Sequence, residues 1–221
     1  MKEKNLSKNE PRFLLALHSS TETLGIGLTD LNSQKPIFKK STIKIGKDLS
    51  KYLFSSIERI FPSISWNQIA MLTVATGPGG FTGTRLTIVF ARTIAQQLKC
   101  QIEGVSSFKL MAYRLIKKLN ENEVEKPFWI KQNLKHRGIV AGKYKLMKNI
   151  EKKGIIKIEE LEKPHLIDQK TKMYPVVDAS EDVSEDIERL LKIGLESYKN
   201  NNKNNWNEVL PIYPTSPVKI N

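Results

Sequence analysis

AMLTVATGPGGFTGTR, residues 70–85, carries an apolar run into a glycine-rich turn and out again towards a helical pattern. The six residues of 70–75 are short enough and apolar enough for a buried strand, and the glycines after them mark its end. From Arg85 the spacing predicts a helix to about Lys99. Strand, glycine-rich turn and helix N-terminus together form an arrangement suited to anions, because unpaired backbone N–H groups point out of the turn. Two common versions do not fit. A Walker loop needs Lys before Ser/Thr at the helix start, whereas Gly83 is followed by Thr84 and Arg85; a GxGxxG pattern fails because Thr82 stands three after Gly79. The other reading is structural, with glycines that simply let the helix pack tightly on its sheet. Arg85 divides similarly: its guanidinium suits a phosphate or a partner's carboxylate, and equally an ion pair within the chain.

On a helical wheel, Ile88, Ala91, Ile94, Ala95 and Leu98 form one arc, expected to cover a sheet. Leu86, Val89 and Phe90 lie off that arc, beside Thr93 and Gln97. The helix therefore needs two packing partners. The second is either the preceding helix of the same chain or another subunit, and the two alternatives are compatible.

Upstream, FLLALH (13–18) reads as a buried strand, SSTET as a turn, and 24–30 as the returning hairpin strand, in which Gly25 and Gly27 permit close backbone approach. A third strand is expected over 37–45. Asp48 then caps a helix running to about Phe61, before Pro62, with Leu49, Leu53, Ile57 and Ile60 at helical spacing. Three strands before any helix is unlike a dinucleotide-binding fold. After 102–105, another strand, Ser106 caps a helix through about Leu119. The second half is sparser: strands near 128–133, 138–146 and 173–178, a helix over 183–198, an Asn-rich loop at 199–207 and a proline-bearing extended tail. It repeats the first half in outline and is shorter. The divisions are a polar leader at 1–11, a first lobe at 12–119 and an abbreviated second lobe with the tail at 120–221.

The composition agrees with a folded chain: 39% hydrophobic and 27% charged residues in 221. Cys100 is the one cysteine, and the sequence has neither a signal peptide nor an apolar run of spanning length, so a reducing cytoplasm and no membrane are expected. A net charge of +13 favours polyanionic partners. Lys and Asn are abundant throughout, so the charge is also consistent with a general compositional habit.

GPGGFTGTR resembles the GPGSFTGVR signature of the TsaB (YeaZ) family, with Gly80 in place of serine. LLALHSSTETLGIGL (14–28) is similar to that family's first strand, small-residue turn and hairpin return, and GVSSFKLMA (104–112) to its next strand-to-helix step. The tail's LPIYP resembles its closing LPxY element. The resemblance implies an α/β fold of the actin/Hsp70/sugar-kinase (ASKHA) type with two ribonuclease H-like lobes, the second reduced. It implies a non-catalytic subunit partnered with the catalytic paralogue TsaD and the ATPase TsaE. The complex transfers a threonylcarbamoyl group, delivered as its adenylate and with ATP in use, to the adenosine 3′ of the anticodon in tRNA. The motif turn is Gly77, Pro78, Gly79, Gly80, Phe81, Thr82, Gly83 and Arg85. First-lobe helices supply the family's dimer interface, which points to Tyr52, Leu86, Val89, Phe90 and Thr93, in a heterodimer or a homodimer.

His18 stands where that family commonly has Asp, and neutral imidazole replaces a magnesium-binding carboxylate poorly, so His18 reads as a structural residue at a strand end. TsaD binds metal with an HxxxH pair; His18, His136 and His165 are far beyond helical spacing. No catalytic or metal-binding residue, and no cofactor held by this chain, is expected. Two other readings stay open. One is an independent enzyme of the same fold, a metal-dependent hydrolase or small kinase using the 77–83 turn. The other is a standalone RNA-binding protein, drawn from the charge and from the basic stretch 131–153.

Overall fold

The computed structural model describes residue 10 and residues 12–147, 157–168, 170–202 and 205–214. The polar leader except Glu10, residues 148–153 of the basic stretch and the tail beyond 214 lie outside the described residues.

Strands β1 (Phe13–His18), β2 (Thr23–Asp30), β3 (Lys39–Lys44), β4 (Ile69–Ala75) and β5 (Gln101–Val105) form one sheet in the order β3-β2-β1-β4-β5. β2 runs antiparallel to β1 and β3, while β1, β4 and β5 are mutually parallel. That is the ribonuclease H-like arrangement. β1 is apolar at consecutive positions because it is central. Leu15 and Leu17 face one hydrophobic cluster, Leu14 and Ala16 the other, and all four are buried. Helices α1 (Leu49–Ile60) and α2 (Phe81–Leu98) cover the first face.

The second face is covered by α5 (Val183–Lys199), through Ile187, Leu190 and Leu191. A Cβ on Gly25 would stand 2.5 Å from Ile187 and one on Gly27 2.7 Å from it, so these glycines do admit a close neighbour, a helix from the far end of the chain. The sequence division at residue 119 thus separates the strands and not the packing. An amphipathic helix covers the nearest apolar sheet face, whatever its place in the sequence.

The second sheet has the order β8-β7-β6-β9, from β6 (Phe128–Leu134), β7 (Gly138–Met147), β8 (Lys157–Leu166) and β9 (Val176–Asp178). β6 pairs antiparallel with β7 and parallel with β9, and β7 antiparallel with β8. This repeats the first sheet's order without a counterpart of β5 among the described residues, so the second lobe is reduced as expected. Helix α3 (Ser107–Leu115) packs on it through Phe108, Met111 and Leu115, and touches α5, so both helices lie between the sheets.

Several boundaries differ from the sequence reading. β8 was not foreseen: KIEELEKPHL is charged at half its positions and holds a proline, and as an edge strand it buries little beyond Ile158 and Pro164. A short α4 (Glu121–Val124) lies within the polar stretch 120–126. Only Val176–Asp178 of the stretch 173–178 is strand. Asp48 occupies the position before α1 without making a side-chain cap, because a 3-10 turn over Gly46–Asp48 already leads into the helix. Ser106 does cap α3, its Oγ accepting from the Lys109 N–H at 3.1 Å.

Candidate functional site

The parallel strands β1, β4 and β5 end side by side, and their outgoing turns meet at the carboxyl edge of the sheet, where open α/β folds place ligands. Three of these turns are tied together. The Gly80 N–H donates to the Ser20 carbonyl at 2.6 Å, the Ser107 N–H to the Gly77 carbonyl at 2.7 Å, and Ser20 Oγ meets Ser107 Oγ at 2.8 Å. Ser19 Oγ donates to the Gly83 carbonyl at 3.0 Å and lies 2.6 Å from Thr87 Oγ1. The two serines of SSTET are therefore spent on joining turns, while the Thr21 hydroxyl bonds locally to the Thr23 backbone.

α2 begins at Phe81, four residues earlier than the sequence reading, so only 77–80 form the turn and Phe81, Thr82 and Gly83 are the helix's first residues. Glycine is required for close approach at Gly79 and Gly83. A Cβ would stand 2.2 Å from the Ser20 carbonyl oxygen at the first and 2.8 Å from the Ser19 carbonyl oxygen at the second. The tight-packing reading of the glycines accounts for both. Pro78 follows the turn's positive-φ Gly77 and is buried. Among the described residues Arg85 forms no ion pair, the contact foreseen for it within the chain. Its guanidinium lies 4.9 Å from the Phe81 ring centroid and 6.0 Å from that of Tyr213, and those two rings are 5.1 Å apart. A planar cation stacks readily on aromatic faces, and the tail supplies one of them. The tail is extended as expected, with the Ile212 N–H donating to the Thr76 carbonyl at 2.8 Å.

His18 ends β1 and is fully buried, on the α5 side. Its Nε2 is 3.9 Å from Asp186 Oδ2, and neither ring nitrogen has a hydrogen-bond partner among the described residues. Burial, with the Arg114 charge behind it, lowers its pKa to about 4. Asp186, though bonded by Arg114 Nε at 3.2 Å, is pushed up to about 6, chiefly by burial. An imidazole walled off in this way is no ligand for a group in the cleft. His136 is exposed at the tip of the β6–β7 hairpin, and the His165 ring lies 2.9 Å from the Lys163 carbonyl on β8. Among the described residues no group of three His, Cys, Asp or Glu side chains is placed to hold a metal. Burial pushes the Cys100 thiol up to about 11.

Of α2, Ile88, Ala91 and Ala95 are buried against the sheet, with Thr84 and Thr87, while Ile94 and Leu98 are half-buried. Leu86, Val89, Phe90 and Thr93 face away. α1 covers part of this second face. Phe54 stacks on Trp66 at 5.3 Å, and both meet the Phe90 ring edge-on, at 6.3 and 6.0 Å. Val89 is still 58% exposed and Phe54 47% exposed, so an apolar surface is left over between the two helices. Tyr52 does not join it. It lies on the opposite flank of α1, in a groove with Ile43, Ile45, Asp48 and Arg59, under the Lys51 ammonium. Tyr52 and Phe54 are two residues apart, about 200° around a helix, so they cannot share a face. Phe54 is the residue the sequence reading missed; a wheel for α1 puts it off the arc of Leu49, Leu53 and Ile57, as Phe90 is off that of α2.

A family model described as TsaD, tRNA N6-adenosine threonylcarbamoyltransferase, matches residues 45–188. The chain belongs to that family. It is similar to the tRNA threonylcarbamoyladenosine biosynthesis protein TsaB of Buchnera aphidicola subsp. Schizaphis graminum (strain Sg), with 28% identity over 86 residues. That alignment spans 39% of this chain and 38% of the relative's length. A Pseudomonas aeruginosa structure described as similar to the peptidase YeaZ superposes with a TM-score of 0.65 at 16% identity, covering 92% of this chain and all of the other. YeaZ from Pseudomonas aeruginosa gives 0.62 at 18%, covering 90% and 100%. At that identity the superpositions show the fold alone, which this TsaD-family chain shares with the YeaZ structures over nearly its whole length. Among the described residues no helix is long and apolar enough to cross a membrane.

Proposed function

We propose that this chain is the non-catalytic scaffold subunit of a cytoplasmic complex that adds a threonylcarbamoyl group to the adenosine 3′ of the anticodon in tRNA. Its α1–α2 face docks a TsaD-type catalytic paralogue. A TsaE-type ATPase joins them, and threonylcarbamoyl-adenylate and ATP are used by the assembly, not held by this chain. The observation that carries the reading is the leftover apolar face, with Val89 at 58% and Phe54 at 47% exposure beside the half-buried Leu86 and Phe90. Exposed apolar surface of this kind on a folded domain marks a protein–protein contact. The cleft supports the non-catalytic half of the reading: His18 at the end of β1 is enclosed, and the neighbouring hydroxyls bond to one another.

The test is co-purification of a Val89→Asp variant with the TsaD-type paralogue, together with the content of modified adenosine in tRNA from cells carrying only that variant. Loss of both is expected. Intact assembly and full modification would place the contact elsewhere. A homodimer through the same face, in the absence of the paralogue, is expected to dissociate with the same substitution.

A further inference from the structure

Between the lobes lies a second cleft, of about 590 Å³, that the subunit reading leaves without a role. One wall is aromatic. Phe81 from the start of α2 and Tyr213 from the tail are 38% and 44% exposed, their rings 5.1 Å apart, with the Arg85 guanidinium stacked on Phe81 at 4.9 Å. The facing wall is the β6–β7 hairpin, which brings Gln132, Asn133, Lys135 and Arg137 into the cleft. Further along those strands Lys131 pairs with Asp178 and Lys143 with Glu162. Lys135 and Arg137, both exposed, have no ion pair among the described residues, and Glu181 is the single acid lining the cleft.

Exposed rings on one side and unneutralised cations on the other are the two parts of a site for single-stranded nucleic acid. Bases stack on the rings without regard to sequence, and the cations follow the backbone phosphates. An acidic peptide would use the cations and leave the rings idle. We infer that this interlobe cleft binds a single-stranded segment of RNA, a base stacking on Phe81 and Tyr213 while adjacent phosphates meet Lys135 and Arg137. The inference rests on the proposed role in tRNA modification and gives this chain direct contact with the substrate of the complex. In isolation the binding is weak and strongly salt-dependent, since few phosphates are engaged.

The experiment is a fluorescence titration of the full-length chain with a labelled single-stranded RNA of about ten nucleotides, a length within the range one such groove covers, at several salt concentrations. In the parent chain affinity falls as salt rises. Lys135→Glu with Arg137→Glu weakens binding and flattens the slope of log affinity against log salt by about 1.4, the share of two phosphate contacts on a single strand. Tyr213→Ala weakens binding by about 5- to 150-fold, the value of one stacked base, with the slope unchanged; Tyr213→Phe, which keeps the ring, restores it. The inference is overturned if the double charge variant binds with the parent's affinity and slope, if Tyr213→Ala binds like the parent while melting at the parent's temperature, or if adenosine monophosphate competes at the same concentration as the oligonucleotide, which would make this a pocket for a free nucleotide. Co-purification of the parent chain with the TsaD-type paralogue is scored in parallel. A cleft that fails to bind RNA is thereby told apart from a chain that fails to assemble.

Discussion

His18 Nε2 and Asp186 Oδ2 face each other at 3.9 Å, both buried, across the seam between β1 and α5. The two groups titrate in opposite senses, and Arg114 acts on both. The histidine's pKa is lowered to about 4 from an ordinary 6.5, so between these values the unfolded chain holds a proton that the folded one refuses, and stability falls as pH drops. The aspartate's is raised to about 6 from 3.8, so in that range the folded chain holds the extra proton, and stability rises as pH drops. At about 1.4 kcal/mol per pH unit each effect is on the order of 3 kcal/mol, and over the shared window they largely cancel.

Asp186→Asn removes one side of that balance. The variant is expected to lose on the order of 3 kcal/mol of unfolding free energy between pH 6.5 and pH 4 beyond any loss in the parent. Urea titrations across that range measure it, and parallel pH profiles for parent and variant would show that Asp186 does not offset His18.

Ser106 holds α3 to the second sheet. Its Oγ accepts from the Lys109 N–H and donates to Glu160 Oε1, which also accepts from the Tyr144 hydroxyl at 3.2 Å. Burial and the Glu160 charge hold Tyr144 well above the ordinary tyrosine range, so it stays a donor. Ser106→Ala loses a cap and one partner of a part-buried carboxylate, together about 2–3 kcal/mol. Asp182→Ala removes only an exposed cap, the bond from the Glu185 N–H at 3.0 Å, and is expected to cost about 1 kcal/mol. Equal losses in chemical denaturation would remove Glu160 from the account.

Most of the first lobe was legible because its central strands are short continuous apolar runs and its helices repeat apolar residues at helical spacing. The FLLALH strand matches β1 residue for residue, and the two-sided pattern of α2 anticipated both the buried Ile88 and the exposed Val89. What sequence could not supply were contacts between distant segments. Nothing local in Gly25 or Gly27 says that α5, more than 150 residues later, is the neighbour they admit. Arg85 and Tyr213 meet only because the tail returns to the motif turn. β8 escaped because an edge strand need not alternate cleanly. Tyr52, named with Phe90 for the docking face, lies on the other flank of α1, about 200° around the helix from Phe54.

The aromatic trio changes how the docking face should be probed. Phe90 packs on Phe54 and Trp66, so Phe90→Asp is expected to lower stability by about 1–3 kcal/mol as well as weaken docking. Val89→Asp, at a position open to solvent, is expected to stay within about 0.5 kcal/mol of the parent in thermal unfolding of the isolated chain. A comparable loss in both variants would mean that Val89 is packed in solution.

Gly79 and Gly80 are adjacent and glycine alike, yet a side chain meets very different surroundings at each. At Gly79 a Cβ falls 2.2 Å from the Ser20 carbonyl oxygen and 2.7 Å from the Ser20 Cα, which are backbone atoms with no rotamer to yield. Gly79→Ala must therefore separate the β1 and β4 turns, breaking the Gly80 to Ser20 bond, at about 3 kcal/mol or more. At Gly80 the nearest atom is the same oxygen at 3.7 Å, an ordinary contact, and φ −57, ψ 118 is open to any L-residue. The TsaB (YeaZ) signature that GPGGFTGTR resembles carries serine at this position, in front of α2, where a hydroxyl can cap the helix. Gly80→Ser is thus expected to stabilise the chain by about 0.5–1 kcal/mol, through a better cap and a less flexible unfolded state. Urea denaturation of the two variants checks the contrast. A destabilised Gly80→Ser would mean that a side chain in front of α2 meets closer neighbours than the 3.7 Å contact at its Cβ.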